Sequence, residues 1–391
     1  MKRVLALSAC FCLIFAGSAM AGDVSVTPFA KIFAHYQYNM SGYEDYDARF
    51  DTNDHNGFEL TRTYLGLKAE FNDDWSANVT IDSKRAAVVT AETTAVSTGV
   101  ADDPSTEEDE STTEAVTGFT SANTGRYEFF VKYAYATYQP VDYFGTSFGM
   151  IVTPYAANIY TYWRYRYVAD AAFSLYGMTR SSTADLGVAV HGGFPGGYGG
   201  YQLAILNGEG VGAAETNAGK AGGGALWLTP FQTVEALKGF ALMGTYHYDK
   251  VQPDYVEELR TSWQALAAFR YDVDESMGFS VNGEFGGRTI GFNDDVTDPV
   301  DSQTISAWAD FWFLARYGLL VRYDAFDPNT ENDKDKGIGY QDETTLLLAG
   351  AYVHPVKGIK LCLNYRNVGY TEEIVDDKGD SVTKQPDQFV F

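Results

Sequence analysis

Cysteine is scarce in this chain, and what there is sits badly for cross-linking. Of three cysteines in 391 residues, Cys10 and Cys12 fall in a leader, which leaves Cys362 alone. A lone thiol forms no intrachain disulfide and no paired-cysteine metal site. Cys-x-x-Cys-His is absent, so no attached haem is expected. After residue 21 no run of 18 apolar residues occurs, which excludes a membrane-spanning helix. Histidine is rare too. His35, His55, His191, His247 and His354 stand in no recognisable Ser-His setting. No phosphate-cradling loop is present either, because "GGFPGGYGG" reads as a turn former between strands. No catalytic, cofactor or metal residue is assigned on these grounds, and no enzyme is expected. Positive charge is in deficit, with 28 Lys and Arg against 52 Asp and Glu, a net of -24. No nucleic-acid partner is expected.

What is present begins with that leader. Lys2 and Arg3 precede an apolar stretch from Val4 to Phe15, and Ala19-Met20-Ala21 has the small-x-small form of a cleavage site. Residues 1–21 read as a secretory signal, removed before folding. Leu7-Ser8-Ala9-Cys10 also fits a lipoprotein box, but few apolar residues precede Cys10 and the run continues past it. Residues 22–391 show no linker and read as one domain.

The texture of that domain is alternation. In "RTYLGLKAEFNDDWSANVTID", Leu65, Leu67, Ala69 and Phe71 alternate with polar residues. After Asn72-Asp73-Asp74 the pattern resumes with Trp75, Ala77, Val79 and Ile81. Period two means strand, and a short polar break between two such runs means hairpin. The pattern recurs to the end, as in Phe279-Val281-Phe285, Ile305-Ala307-Ala309-Phe311 and Leu319-Val321-Tyr323. Tight turns such as 72–74, 140–144, 195–199, 272–277, 317–318 and 354–358 alternate with long polar loops. The polar face is too charged to bury in a protein core, since unpaired buried charges cost several kcal/mol each. The apolar face therefore meets lipid, and only a closed barrel lets strands cross a bilayer. Together these features predict an all-β transmembrane antiparallel barrel of about 16 strands in an outer membrane. Its short turns lie on the periplasmic rim and its long loops outside. The end, "DQFVF", places Phe389 and Phe391 on the lipid face. Phe391 resembles the C-terminal signal read by the barrel-assembly machinery.

Part of the chain carries a family resemblance. "SFGMIVTPYA" is similar to the strand that ends in Thr-Pro before the inward-folding loop of the phosphate-selective porin O/P family. "ADLGVAVHGGFPGGYGGYQLAILNGEG" resembles that family's next hairpin. The resemblance implies a 16-stranded, trimeric passive channel for small hydrophilic solutes, with its third long loop folded into the pore. Lipid and lipopolysaccharide are then the surroundings.

That loop is also located by composition. Residues 154–182 are aromatic and basic, unlike the other long loops: Tyr160, Tyr162, Trp163, Arg164, Tyr165, Arg166, Tyr167, Arg180. Trp163, Arg164, Tyr165, Arg166 and Arg180 are the expected constriction, with the Tyr and Trp rings anchoring the loop to the inner wall and Arg164 and Arg166 facing the passage. The alternatives are two surface arginines among packed aromatics, or a trimer-contact loop. The expected lumen lining comprises Lys31, Arg62, Lys68, Lys132, Arg270, Arg288, Arg316, Arg322, Lys360 and Arg366. Acidic lining positions are Glu70, Asp82, Glu284, Asp310 and Asp324, with Glu128 and Asp185. The moderate basic excess predicts weak anion preference, because rings of charged side chains set such selectivity. An aromatic track for sugars is the other reading. A non-conducting adhesion barrel or an enzymatic barrel stays open as well. Residues 86–125 hold eight acids, one aromatic and no Lys or Arg, and are expected to be a disordered outer loop. They are a solvated charge run or a bridge, through divalent cations, to lipopolysaccharide.

Overall fold

A computed structural model describes residues 24–39, 57–97, 113–179, 183–211, 219–251, 258–292, 299–330, 343–370, 374–375, 381–382 and 388–390. The expected signal at 1–21, Arg180 and Phe391 lie outside the described residues.

The chain runs β1 (Ser25–Asn39), β2 (Gly57–Glu70), β3 (Trp75–Ser97), β4 (Thr113–Val141) and β5 (Phe144–Val152). Two short helices follow, α1 (Pro154–Tyr162) and α2 (Ala172–Leu175). Then come β6 (Ala184–Gly193), β7 (Gly199–Leu206), β8 (Ala221–Leu228), β9 (Phe240–Val251), β10 (Glu258–Asp272) and β11 (Gly278–Phe292). The last long strands are β12 (Val300–Phe313), β13 (Tyr317–Asp327), β14 (Thr344–Val353) and β15 (Leu361–Tyr370). Three short pieces end the chain: β16 (Ile374–Val375), β17 (Ser381–Val382) and β18 (Gln388–Val390). Consecutive strands pair antiparallel, and β18 sits between β15 and β1 and closes the ring. The pair β16–β17 stands outside it. The ring thus has sixteen strands among the described residues, and the expected barrel is the observed fold.

Its two faces are chemically opposite. In β13, Leu319, Val321 and Tyr323 are 54%, 45% and 48% exposed, while Leu320, Arg322 and Asp324 are 3%, 1% and 0% exposed. The same phase holds around the wall. Leu65, Trp75, Trp263, Val281, Phe285, Ile305, Phe311 and Leu347 all point outward. Such a belt left in water would cost about 25 cal/mol for each Å². Against hydrocarbon it costs nothing, and this decides the orientation. Ten-residue strands such as β14 and β15, tilted roughly 40°, rise about 25 Å, which matches the apolar height of a bilayer. Near the short-turn rim, the outward rings of Phe269, Tyr271 and Phe279 lie within 6.4 Å of one another. Phe311, Phe313 and Tyr317 form a stacked row beside them. This is an interfacial aromatic girdle.

Two expectations need correction. Residues 86–97 and 113–125 are not loop but continue the β3–β4 ladder, paired from Ala87–Asn123 to Ser97–Thr113. The acids concentrate at 102–110, and the flanks are rich in Thr, Val and Ala, whose β-branched members favour extended backbone. Residues 98–112 lie outside the described residues. The turn expected at Tyr317-Gly318 is instead at 314–316. Arg316 therefore sits in a rim turn and not on the lining. The β8–β9 connection, for which no turn is expected from the sequence, spans residues 229–239.

Candidate functional site

The segment between β5 and β6 crosses the inside of the barrel. Thr153 is extended (φ -65°, ψ 151°), and Pro154 opens α1 at a position where its fixed φ suits a helix start. α1 turns Pro154, Tyr155, Ala156 and Ile159 onto the inner wall at β7 and β8. Trp163 ends the helix and folds back, its Nε1 donating to the Ala169 carbonyl at 2.6 Å. Its ring stands edge-on to Trp308 of β12, centroids 5.7 Å apart, and the Arg322 guanidinium lies over it, 4.5 Å from its centre. Tyr165 packs on Tyr352 of β14 (5.5 Å), and Tyr176 stacks on Phe326 of β13 (4.6 Å). Gly286 of β11 has no side chain because the Phe173 ring occupies the place: a Cβ there would lie 2.6 Å from it. These rings join Ala241, Met243, Leu266, Leu346, Leu348 and Val368 of the wall in one apolar cluster.

A loop inside a barrel must still pair its carbonyls. Three wall arginines do this. Arg288 Nη1 donates to Gly177 O (2.8 Å), Arg322 Nη1 donates to Asp170 O (2.7 Å), and Arg366 Nη2 donates to Val168 O.

Asp170 is the node of the polar side. Its carboxylate accepts Arg62 Nη2 at 3.0 Å, Arg166 Nε at 3.0 Å and Tyr160 OH at 3.1 Å. Arg166 also lies over the Tyr160 ring at 4.2 Å. Arg62 continues to Asp82 (3.5 Å), which takes Lys132 Nζ at 3.0 Å, and Lys132 donates to Tyr64 OH at 3.2 Å. Arg62 is on β2 and Arg322 on β13, with β1, β18, β15 and β14 between them in the ring. At residue 170 the loop therefore spans the lumen as a chord. Burial opposes the charge of Asp170, but Arg166 and Arg62 outweigh it and hold the carboxyl below its ordinary range. Three cations face two carboxylates in this network.

Of the expected constriction residues, Trp163 (1% exposed) and Tyr165 (6%) are buried in the wall contact and do not line a passage. Aromatic bulk is better placed against the apolar patch of the wall than in water. Arg166 is paired with Asp170. Arg164 is half-buried, and its Nε finds no partner among the described residues.

The lining positions divide likewise. Lys132, Arg322, Arg366, Asp82, Glu284, Asp310 and Asp324 face inward as expected but are buried. Many are paired there, Asp310 with Ser280 and Glu284 with Gln264. Asp185 is buried too, accepting the Leu186 and Gly208 amides at 2.7 Å. Arg62 and Arg288 are half-buried and committed to the loop. Arg270 sits near the rim, bound to Asp272 (2.8 Å) and over the Trp312 ring (3.9 Å). Lys31, cross-strand from Tyr64, is exposed, as are Lys68 and Glu70. Glu128 is exposed on β4. Lys360 precedes β15, exposed, with its Nζ 5.7 Å from the Tyr167 ring centre. Lys360, Tyr167, Val168, His35, Cys362 and Asn364 border a cavity of about 390 Å³ between the loop and the β1–β15 wall.

Asp170 is the residue that sequence reasoning missed. Its signal was present: it is the only acid in 154–182, four residues after Arg166.

No family model matches the chain, and no curated protein matches it. Solved structures do resemble its fold. An anion-selective porin from Comamonas acidovorans is 9% identical, with 94% of this chain and 97% of that one covered, at a TM-score of 0.57. The trimer form of OmpT, an outer membrane protein of Vibrio cholerae, is 12% identical over 94% and 97%, at 0.55. The outer membrane channel DcaP of Acinetobacter baumannii is 11% identical over 95% and 97%, at 0.52.

Proposed function

We propose that the protein is an outer-membrane porin, a passive channel for small hydrophilic solutes with a weak preference for anions. The observation that carries the proposal is the aromatic loop 154–179 docked across a polar lumen inside an apolar-walled barrel. A loop tied across the lumen by wall arginines narrows the bore, which suits a channel that passes only small solutes. The named anion-selective porin and the named channel of the same fold support the reading. The anion preference rests on cations left open to water beside the loop: Lys31, Lys360 and the half-buried Arg164. The resemblance of 145–229 to phosphate-selective porins points the same way, with phosphate-like ions as the candidate solutes. A homotrimer is part of the proposal, supported by the trimer form of OmpT.

A sugar channel is the second reading, favoured by the Tyr167 ring beside the same cavity as Lys360. Swelling of proteoliposomes in isosmotic solutions tests the channel itself. Entry of small sugars and amino acids well above the protein-free rate is expected, falling with solute size. A rate equal to that of protein-free vesicles would refute it. Faster entry of sugars than of anions of similar size would favour the second reading.

A further inference from the structure

The turn between β8 and β9 is built for a purpose that a plain hairpin does not need. Its backbone makes three i-to-i+3 bonds joined end to end: Val234 N to Phe231 O (3.0 Å), Leu237 N to Val234 O (2.9 Å) and Phe240 N to Leu237 O (2.9 Å). Joined end to end, these turns put an apolar residue at every junction, and the first and last are brought into ring contact, Phe231 on Phe240 at 5.5 Å, which makes one apolar ridge. That ridge is Phe231, Val234, Leu237 and Phe240, and the first three are 38%, 45% and 41% exposed. The other side is polar and internally bonded. Lys238 Nζ donates to Glu235 at 2.6 Å, and Gln232 Nε2 donates to Lys238 O at 3.5 Å. The turn is also pinned to its neighbour, because Thr229 Oγ1 donates to Gly197 O at 2.6 Å.

The ridge continues a surface whose partner is already known. Phe231 packs on Phe240 (5.5 Å), and Phe240 is cross-strand from Phe269 of the outward girdle. Phe269 in turn contacts Phe279 and Tyr271. The apolar side of the turn thus extends the lipid-facing belt past the strand ends.

We propose that residues 229–239 are a membrane foot: an amphipathic turn whose Phe231-Val234-Leu237 ridge lies in the interface of the periplasmic leaflet. The occupant of this surface is lipid. An interfacial segment needs an apolar side continuous with the acyl region and a polar side toward the headgroups and water, and the turn has both. The proposal is independent of what the channel carries.

The test places single cysteines in a Cys362→Ser background: Val234→Cys or Leu237→Cys on the ridge and Glu235→Cys on the polar side. Each is labelled with an environment-sensitive fluorophore and reconstituted in phosphatidylethanolamine–phosphatidylglycerol vesicles. Spin-labelled lipids are expected to quench the ridge labels about threefold more than the label at 235, and aqueous iodide is expected to show the reverse order. Equal iodide quenching at 234, 235 and 237 would overturn the proposal. Protection of 234 and 237 from both quenchers would overturn it as well, since a protein and not lipid would then cover the ridge. A Thr229→Val variant, which removes the pin to Gly197, keeps the ridge chemistry and is expected to retain the lipid quenching.

Discussion

Arg322→Ala is the substitution that loads most of the account onto one side chain. Arg322 is 1% exposed and grips the fully buried Asp324 with two bonds, Nε to Oδ1 at 2.8 Å and Nη2 to Oδ2 at 2.6 Å. Its remaining nitrogen holds the Asp170 carbonyl, and its plane covers Trp163. Removal leaves Asp324 with Tyr176 OH (3.2 Å) and Ser306 Oγ (2.5 Å) as its donors among the described residues. Breaking a buried pair in this way costs about 3–5 kcal/mol. A hydrogen bond from a charged donor is worth about 1.5–3 kcal/mol. If about 2 kcal/mol reaches the loop contact, the undocked fraction of the loop rises roughly thirtyfold. The strand ladder does not depend on Arg322, so the heat-modifiable gel shift of a barrel persists. Single-channel records are expected to show open-channel flicker absent from the parent, and the urea midpoint in detergent falls. Adding Asp324→Asn removes the stranded charge and restores part of the midpoint without restoring the quiet current. An Arg322→Ala channel with parental midpoint and noise would refute the docking argument.

Asp170 should govern the loop's response to acid. Its pKa is depressed, so its contribution to docking is complete above the ordinary value of 3.8 and is lost as pH falls through the lower, docked value. Parental current is therefore expected to stay quiet down to the ordinary carboxylate range and to become noisy only below it, whereas Asp170→Asn is noisy at neutral pH. Val79→Arg puts a charge on the lipid side at a cost of about 2–4 kcal/mol, while Asn78→Arg, facing the lumen, is tolerated. Equal folding yields in vesicles would mean the faces are misassigned. Leu314 and Ala315 hold positive φ angles (52° and 57°), so Leu314→Asn with Ala315→Gly is expected to stabilise the barrel by about 1–2 kcal/mol, read from the urea midpoint.

The barrel was legible because period two is written into every strand and lipid enforces it over many residues. Val281-Asn282 and Val321-Arg322 each declare both faces within one dipeptide. Turns were less legible where chemistry departs from rule. A two-residue turn with positive φ signals itself through Asn-Gly, and Leu314-Ala315 carries no such mark. The turn at 229–239 drew no reading, because apolar residues at every third position match neither the strand period nor a polar loop. In the loop, composition located the segment but not the direction of its side chains. The aromatic content of the loop marks rings that anchor it to the inner wall, and Trp163 and Tyr165 are such anchors, although the sequence also groups them with the constriction. The structure buries both rings, since Trp308 and Tyr352 across the lumen offer them apolar partners that no local pattern reveals. Charge counting is equally blind to pairing: Arg322 and Arg366 face inward but hold loop carbonyls, and Lys132 is bound to Asp82 and Tyr64 of the wall.

The most direct test of a loop-bounded, weakly anion-preferring channel is the zero-current potential across a planar bilayer under a KCl gradient. At low salt the parent protein is expected to give the sign of chloride preference. Arg164→Ala should move the potential toward cations, because no carboxylate neutralises that guanidinium among the described residues. Arg166→Ala, whose charge Asp170 already balances, should move it less, and Arg164→Ala with Arg166→Ala should move it most. Raising the salt should shrink all three shifts as the screening length falls from about 10 Å to about 3 Å. A parent potential of cation sign, or one that Arg164→Ala leaves unchanged at low salt, would contradict the account.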